Sequence, residues 1–343
     1  MRGPKLARLK LELFGQNVTG PRVLCLGEIL FDCLTNYTES TSLERAEHWT
    51  PYPGGAPANV ACGLSTLGTT SAFIGCVGDD EAGSALREVL DAHQVNTAGL
   101  QVHPEAPTRQ VFVLRSRTGE REFAGFGDRP TTAFADAYLD ANALPVTLFE
   151  RADYLVMGTL GLAYPATRAA LMKSLELARA FDVRIAIDIN WRPVFWPHPE
   201  SAAAIVRDVL KQADYLKFSD DEARWLFATD NPAGIAPYLP QARGLLVTAG
   251  EGGCSYAFGP HTGSVPAFSV NAVDTTGAGD SFLAAFLHVL ERQNESEIVA
   301  SPERLQQAVR FACAAGALTV TRPGAIAAQP TVADINALLA RVS

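Results

Sequence analysis

The chain of 343 residues carries little charge, and the charge it has is mostly negative. Charged residues make up 19% of the sequence, and the formal net charge is −9 at pH 7. Proteins that bind nucleic acid usually present a basic face, so we expect no nucleic-acid partner. An acidic protein that binds a phosphorylated ligand must gather positive potential locally, from backbone amides, a few Lys or Arg side chains, or a metal.

Long apolar runs and a targeting segment are also missing. The longest apolar stretches, such as 282–290, are too short to span a bilayer. The first twenty residues contain four basic side chains but lack the long apolar stretch of a signal peptide. We therefore expect no membrane association and a cytoplasmic location. We also predict that residues 1–21 form an N-terminal extension outside the core.

Cysteine is sparse, and its spacing has no chemical pattern. None of the six cysteines forms a C-x-x-C pair, and no zinc-ligand spacing is present. Most lie in apolar runs, as Cys25 does between Leu24 and Leu26. This placement favours reduced core residues in a cytosolic protein.

What the sequence does have is a regular alternation of short apolar runs with helical patterns. Strands are predicted at 23–27, 73–78, 154–157, 184–188, 215–218, 245–248 and 254–258. Helices are predicted at 58–67, 82–92, 166–180, 201–212, 221–227, 280–292, 302–321 and 332–343. Such alternation indicates an α/β fold with a mostly parallel sheet covered on both faces. No internal repeat is visible.

Residues 108–126 have a different texture, alternating apolar and polar side chains around a turn at Thr118–Gly119. This pattern is typical of a hairpin partly exposed to solvent. With residues 33–52 it would form a small sheet projecting from the main body. We predict that segments near 33–53 and 108–131 make a lid.

The run from Asp274 to Asp280 carries the strongest chemical signal. Its middle residues are small, and a strongly apolar helix is predicted to begin at Asp280. The first amides of a helix have no internal partner and the helix dipole is positive there, so small residues would let a phosphate approach closely. A carboxylate at the same place could accept a proton from a substrate hydroxyl. The alternative is that Asp280 only caps the helix.

The run Asp274–Phe282 resembles the C-terminal signature of the ribokinase-like (PfkB) sugar kinases. A second family signature occurs upstream at 54–61, followed by Leu67–Gly68 and the run 75–80. The resemblance covers about 22–331 and implies one kinase domain with a three-layer α/β/α ribokinase-like fold and a small β lid, followed by a C-terminal helix at 332–343. It implies that Asp280 is the catalytic base and that the amides of Gly277, Ala278 and Gly279 form an anion hole.

At the sugar end, the resemblance implies that Gly55 belongs to a hinge between lid and body. It places Asn59 and Asp32 on sugar hydroxyls, and Arg192 near the substrate. Each residue also has a purely structural interpretation. Asn59 could be a polar residue in a Gly-rich turn, Asp32 a turn residue and Arg192 a surface arginine. The pair Ala56–Pro57 most resembles the fructokinase branch.

At the nucleotide end there is no Walker A run and no complete G-x-G-x-x-G, so ATP would not bind as it does in P-loop or dinucleotide folds. The strand–turn–strand pattern at 245–254 could equally be a plain hairpin. The family resemblance instead implies an ATP site made by Lys217, Thr248, Gly250, Gly253, Gly277, Gly279 and Gly324.

The metals are the least defined part of the site. The resemblance implies that Glu222 helps to hold Mg²⁺ through water, although Ser219 stands where the family has asparagine, and Glu222 could simply interact with a helix dipole. It also suggests a K⁺ site at Asp274 and Thr276. The further K⁺ ligand expected from a side chain falls on Ala328, which cannot supply it.

We therefore expect an ATP-dependent phosphotransferase that converts fructose to fructose 6-phosphate, with ATP and Mg²⁺ and possible use of K⁺. One alternative keeps the fold but changes the substrate to 2-keto-3-deoxygluconate, another ketose or a nucleoside. For a sugar acid, the added cation would come from Arg109, Arg115, Arg121 or Arg129. A second alternative is a non-catalytic kinase-like binding protein. The apolar side of the lid suggests a homodimer through the lid.

Overall fold

A computed structural model describes residues 20–36, 49–115 and 121–342. The first 19 residues of the predicted N-terminal extension and the Thr118–Gly119 turn lie outside the described residues, as does the middle of the first lid segment. The first strand of the described chain, β1 (Val23–Leu26), is buried and lies within the predicted strand 23–27.

A nine-stranded sheet forms the centre of the molecule, in the order β13-β12-β11-β10-β9-β8-β1-β4-β5. Neighbours from β5 to β11 are parallel, and β12 and β13 add an antiparallel edge. After β1 the strands are β4 (Ser71–Gly78), β5 (Asn96–His103), β8 (Tyr154–Met157), β9 (Arg184–Asp188), β10 (Tyr215–Ser219), β11 (Gly244–Thr248), β12 (Cys254–Phe258) and β13 (His261–Val265).

Alternate side chains of each strand enter two different cores, which gives the three layers. Leu24 and Leu26 pack in one buried cluster, whereas Val23 and Cys25 pack in the other. Because side chains of a strand alternate between faces, both faces of the sheet are covered. This confirms the predicted α/β/α layering.

The helices cover these two faces. They are α1 (Ala56–Thr66), α2 (Glu81–Ala92), α3 (Val146–Phe149), α4 (Pro165–Ala180), α5 (Ala202–Leu210), α6 (Asp220–Phe227), α7 (Pro232–Ile235), α8 (Ala278–Arg292), α9 (Glu295–Ala300), α10 (Pro302–Thr319) and α11 (Val332–Arg341). Buried side chains of α1, α8 and α10 join the core containing Val23, and those of α4 and α5 join the opposite core. Among the described helices, none is long and apolar enough to cross a membrane.

A second sheet of four strands matches the predicted lid, in the order β3-β2-β6-β7. Its strands are β2 (Leu30–Asn36), β3 (Thr50–Gly54), β6 (Gln110–Arg115) and β7 (Arg121–Gly125). The hairpin of β6 and β7 is antiparallel as predicted, and β2 runs parallel to β6.

Two strands were not predicted, and both lie at edges of the central sheet. β5 is a mixed sequence with only Gly99 and Leu100 buried, and β13 is the short run HTGSV with only Val265 buried. Edge strands bury little, so they lack the continuous apolar run that marks the central parallel strands.

The order of the sheet also fixes where a ligand can bind. β1 lies between β4 and β8, so the chain leaves β1 for one side and later returns to the other. In open α/β sheets, ligands bind at the carboxyl ends of the strands beside such a reversal. Glu28, Asp188, Lys217 and Ser219 all lie at that edge.

Candidate active site

The N-terminus of α8 presents its first amides without a side-chain cap. Gly277 is the N-cap residue in the left-handed conformation, with φ 78°. A Cβ on Gly277 would lie 2.8 Å from the Ala325 Cβ, so the position requires glycine. The helix begins at Ala278, two residues before the predicted start, and Asp280 is its third residue. Asp280 makes no cap hydrogen bond, which argues against the simple capping role.

The Asp280 carboxylate is held by one donor from α1. Asn59 Nδ2 donates to Asp280 Oδ2 at 2.7 Å, and Asn59 is buried. Burial raises the pKa of Asp280, while the Asn59 hydrogen bond and the positive charges of Lys217 and Arg192 act to lower it. The carboxylate is thus a stronger base than a surface aspartate and is oriented through one oxygen.

A buried ion pair lies beneath the same helix end. Lys217 Nζ donates to both carboxylate oxygens of Asp188, at 3.0 and 2.8 Å. A Cβ on Gly279 would lie 2.8 Å from this ammonium, so the charge sits directly against the predicted anion hole. Burial raises the pKa of Asp188 to about 6, against the opposing effect of Lys217. The hydrogen bonds from Lys217 to both oxygens stabilise the ionised form of the pair.

Glu222 is occupied by backbone amides. It accepts from Ser219 N at 2.7 Å and from Trp191 N at 2.6 Å. Ser219 Oγ in turn accepts from Glu222 N, which completes a capping box at the start of α6. Serine at the position of the family asparagine is therefore used as a helix cap. Glu222 ties α6 to the loop after β9.

Arg192 lies in that loop and is exposed, donating Nη1 to the Trp191 carbonyl at 2.8 Å. Its charge reaches Asp280, because it contributes to lowering the pKa of that carboxyl. The structure thus places Arg192 within electrostatic range of the predicted base, with a side chain that is accessible from solution.

On the sugar side, the two lid strands bring Asp32 against the diglycine. A Cβ on Gly54 would lie 2.8 Å from Asp32 Oδ2, and Asp32 is half-buried. Gly55 has φ +103°, and a Cβ there would meet the Glu28 carbonyl oxygen at 2.5 Å. Gly55 is needed because the backbone of the β1–β2 connection lies so close, whereas Gly54 faces the carboxylate of Asp32 in β2.

Glu28 is a buried carboxyl that sequence reasoning missed. Its Oε1 accepts from Ala56 N at 3.2 Å, at the start of α1. Burial raises the pKa of Glu28 to about 8, and the charges of Asp136 and Asp280 add to the rise. The signal that could have found it is its position, directly after the glycine that ends β1.

The predicted nucleotide residues lie at the ends of β10 and β11 and beside the start of α8. Thr248 Oγ1 donates to the Phe218 carbonyl at 3.2 Å. Gly250 and Gly253 both have positive φ, and a Cβ on Gly253 would lie 2.1 Å from the Val265 carbonyl oxygen. Gly253 therefore packs against the backbone at the end of β13, whereas nothing lies within 4 Å of the Cβ position of Gly250.

Asp274 connects this region to the segment after α10. Its Oδ1 accepts from Thr276 N at 2.9 Å and from Thr276 Oγ1 at 2.7 Å, and its Oδ2 accepts from Gly324 N at 3.0 Å. The two predicted K⁺ residues thus contact each other, and Gly324 is held against the same run.

Carboxyl groups outnumber the ammonium at this site, so a bound cation would be favoured. Glu222, Asp188 and Asp280 all act on Lys217, which is the one ammonium among them. Among the described residues no cluster of three or more His, Cys, Asp or Glu side chains could hold a metal by itself. Mg²⁺ commonly keeps several waters and binds largely through substrate phosphates.

A carboxylate at the uncapped N-terminus of α8 lies close to the buried Lys217, and this arrangement suits phosphoryl transfer. The family model described as pfkB family carbohydrate kinase matches residues 21–332. The chain belongs to this family, and its ribokinase-like fold agrees. It is 37% identical over 324 residues to fructokinase-2 of Oryza sativa subsp. japonica, covering 94% of each chain.

Solved structures give the same result. A fructokinase with bound ATP from Xylella fastidiosa superposes with a TM-score of 0.83 at 30% identity, covering 93% of this chain and 98% of that one. A double mutant of the Vibrio cholerae O395 fructokinase, with fructose, ADP and potassium ion bound, gives 0.80 at 27% identity and covers 93% and 98%. The same fructokinase with fructose, ADP and calcium ion gives 0.78 at 27% identity and covers 93% and 99%.

Proposed function

We propose that this protein transfers the terminal phosphoryl group of ATP to D-fructose, forming fructose 6-phosphate and ADP. The observation that carries the proposal is Asp280, oriented by Asn59 at the bare N-terminus of α8 in a chain of the pfkB family. The similarity to fructokinases supports fructose as the sugar.

Asp280 accepts the proton of the attacking sugar hydroxyl. Its raised pKa makes it a better general base than a surface carboxylate. The amides of Gly277, Ala278 and Gly279, together with the dipole of α8, stabilise the negative charge of the transferred group. Lys217 adds a fixed positive charge below Gly279.

Asp32, Gly55 and Asn59 form the sugar side in this proposal, and Arg192 neutralises charge near the acceptor. A carboxylate and an amide suit the vicinal hydroxyls of a neutral polyol. A sugar acid would need another cation, but Arg109 is buried in a pair with Asp136. Arg109, which directly precedes β6, is thus already neutralised, and this favours a neutral sugar.

ATP is assigned to the surface formed by Lys217, Thr248, Gly250, Gly253, Gly277, Gly279 and Gly324. Mg²⁺, when bound with ATP, would neutralise phosphate charge. Glu222 would hold it through water, and the acidic excess around Lys217 supports this. A K⁺ site at Asp274 and Thr276 is proposed on the family pattern.

Two wider assignments complete the proposal. The buried, free cysteines support a cytoplasmic location: none of the six is in a disulfide, and five are buried. The lid sheet is proposed as the contact between two copies of the chain, since it bears partly exposed apolar side chains such as Phe123.

The test is ADP release with fructose, ribose, 2-keto-3-deoxygluconate and adenosine as acceptors, for the wild-type protein and Asp280→Asn. We expect fructose to give the highest kcat/KM. Loss of a general base should lower kcat by roughly 10²–10⁴-fold, with ATP binding and the unfolding midpoint little changed. Near-normal turnover in Asp280→Asn would contradict the role of the base, and absence of turnover with every acceptor would contradict the proposed activity.

A further inference from the structure

Arg109 lies at the root of the lid, one residue before β6, and is 1% exposed. Its Nε donates to Asp136 Oδ2 at 2.7 Å, and its Nη2 donates to Asp136 Oδ1 at 2.8 Å. Nη2 also donates to the Thr131 carbonyl at 2.8 Å and to the Tyr164 hydroxyl at 3.1 Å. A lid residue is thereby fixed to two segments of the main body.

Four aromatic rings enclose the guanidinium. Its carbon lies 4.5 Å from the Phe134 ring centroid and 5.3 Å from those of Phe126, Tyr164 and Phe195. Each ring face attracts a cation at such distances. The arginine hub, as we call this cluster, consists of Arg109, Asp136, Tyr164, Phe126, Phe134 and Phe195.

Stability alone does not account for the arginine hub. Buried ion pairs are costly to desolvate, and apolar residues of similar volume often serve as well or better. The cost is not fully offset here, because Arg109 Nη1 is buried with no hydrogen-bond partner within the described part of the chain. What a buried ion pair can add is a fixed orientation of the segments that it joins.

The arginine hub connects two parts of the candidate site. On the lid side, Phe31 N donates to the Arg109 carbonyl at 3.2 Å, next to Asp32 of the sugar side. On the body side, the Tyr164 hydroxyl donates to the Phe195 carbonyl at 2.9 Å.

That carbonyl belongs to the loop carrying Arg192. Phe195 N donates to the Arg192 carbonyl at 3.1 Å, and Trp191 N in the same loop donates to Glu222 Oε1 at 2.6 Å. A continuous set of contacts therefore runs from the sugar side of the lid to the loop that carries Arg192, and on to Glu222, the residue proposed to hold Mg²⁺ with ATP.

We propose that the arginine hub couples the two substrate sites, so that binding of sugar under the lid orders the 190–196 loop for the nucleotide. This inference rests on the proposed function. Arg109 and Tyr164 are positioning residues in it, since they act through the lid strands and through Phe195. The Tyr164 hydroxyl is the link, because it joins Arg109 Nη2 to the Phe195 carbonyl.

Coupling between two sites is reciprocal and has a measurable size. If fructose orders the loop, it must tighten nucleotide binding by the same factor by which nucleotide tightens fructose binding. We expect a factor of roughly 5–150 for the wild-type protein, the usual range for coupled sites.

The experiment is calorimetric titration of a non-hydrolysable ATP analogue with Mg²⁺, in the presence and absence of saturating fructose. Tyr164→Phe removes only the linking hydroxyl and keeps the ring in the arginine hub. Tyr215→Phe is the matched control, because its buried hydroxyl donates to Glu295 at the opposite edge of the sheet. Arg109→Met, a second variant, removes the charge at similar length.

We expect fructose to tighten analogue binding in the wild-type protein and in Tyr215→Phe, but by less than about 3-fold in Tyr164→Phe and Arg109→Met. In steady-state kinetics, the KM for fructose should become nearly independent of ATP concentration in Tyr164→Phe. Undiminished coupling in Tyr164→Phe, or equal loss in Tyr215→Phe, would overturn the inference. A wild-type protein that binds fructose without coupling would overturn it while leaving the proposed function intact, whereas one that binds no fructose would contradict the proposed function itself.

Discussion

At the scale of single residues, the candidate site combines carboxyl groups that must have different protonation states. Asp280 has to be ionised to accept a proton, and it is flanked by a lysine and an arginine that favour its charge. Glu28 has no such neighbour among the largest influences on it. Burial and the nearby Asp136 and Asp280 keep it protonated up to a pKa of about 8. The raised pKa favours the neutral form of Glu28, whereas the proposed role of Asp280 requires its charged form.

This difference predicts the effect of Glu28→Gln on stability as a function of pH. A folded-state pKa of about 8 against an ordinary value of 4.5 means that the folded chain binds this proton more tightly. The wild-type protein therefore loses stability as pH rises from about 4.5 to 8, whereas glutamine cannot ionise. The scale is about 1.4 kcal/mol for each tenfold difference in proton affinity.

Urea unfolding at pH 5, 7 and 9 measures the effect. Glu28→Gln should be close to wild type at pH 5 and more stable than wild type at pH 9, since glutamine can still accept from Ala56 N. Glu88→Gln, on the exposed side of α2, is the control and should show no such trend. A constant difference between Glu28→Gln and wild type at all three pH values would contradict a protonated Glu28.

The same residues show what sequence reasoning can reach. The Asp274–Asp280 run was predictable because its chemistry is local: small residues, a helix start and a carboxylate follow one another. Arg109 was predicted only as one of four cations for a sugar acid. Its partner Asp136 is 27 residues away in the sequence. Only the packing of the lid against the main body shows that the charge of Arg109 is neutralised by Asp136.

At the scale of elements, α1 is closed at each end by a glycine with positive φ, but for different reasons. Gly55 has φ +103° and faces the Glu28 carbonyl, where a Cβ would lie at 2.5 Å. Gly68 has φ +89°, and nothing lies within 4 Å of its Cβ position. The first glycine permits close contact of two segments, and the second only permits a turn of the backbone.

This contrast predicts unequal costs for two substitutions on one helix. Gly68→Ala should lower the free energy of unfolding by about 1–2 kcal/mol, the cost of the left-handed conformation for an L-residue. Gly55→Ala should cost more, because a backbone carbonyl of the β1–β2 connection must also move. It should also raise the KM for fructose, since Glu28 belongs to that connection and Asp32 follows it in β2. Thermal unfolding and steady-state kinetics of both variants test this. If Gly55→Ala and Gly68→Ala changed stability and the KM for fructose equally, the hinge contact at Gly55 would be contradicted.

Strands and helices were predictable where consecutive residues are buried, and less predictable where only a few of them are. The strands β1, β4, β8, β9, β10 and β11 of the central sheet were found because each is a largely apolar run buried on both faces. Several helix starts were displaced by one or two residues, whereas those at Pro302 and Val332 were correct. At α8 the displacement arises because Ala278 and Gly279 look like loop residues in sequence yet continue the helix after Gly277. The register that brings Asn59 to Asp280 requires α1 and α8 to pack together, and no local pattern encodes it.

At the scale of the whole molecule, the lid sheet raises the question of what covers its apolar side chains. Phe123 in β7 is 38% exposed and lies opposite Val113 of β6, and its ring contacts Phe126 edge-on at 5.0 Å. A four-stranded sheet with partly exposed aromatic and aliphatic residues is the kind of surface that buries itself against another copy. A lid shared by two chains would also stiffen the strand carrying Asp32.

We therefore expect the wild-type protein to sediment as a dimer and Phe123→Asp to sediment as a monomer at micromolar concentration, because an unpaired carboxylate would be buried in the contact. Tyr238→Asp is the matched control: Tyr238 is more exposed, at 62%, and lies outside the lid sheet. It should leave the mass unchanged. A wild-type protein that is monomeric, or two variants with the same mass as wild type, would exclude this contact.

If the dimer also stiffens the lid, Phe123→Asp should raise the KM for fructose more than the KM for ATP. The reason is that β2 and β3 carry the sugar side, while the nucleotide residues belong mainly to the central sheet and α8.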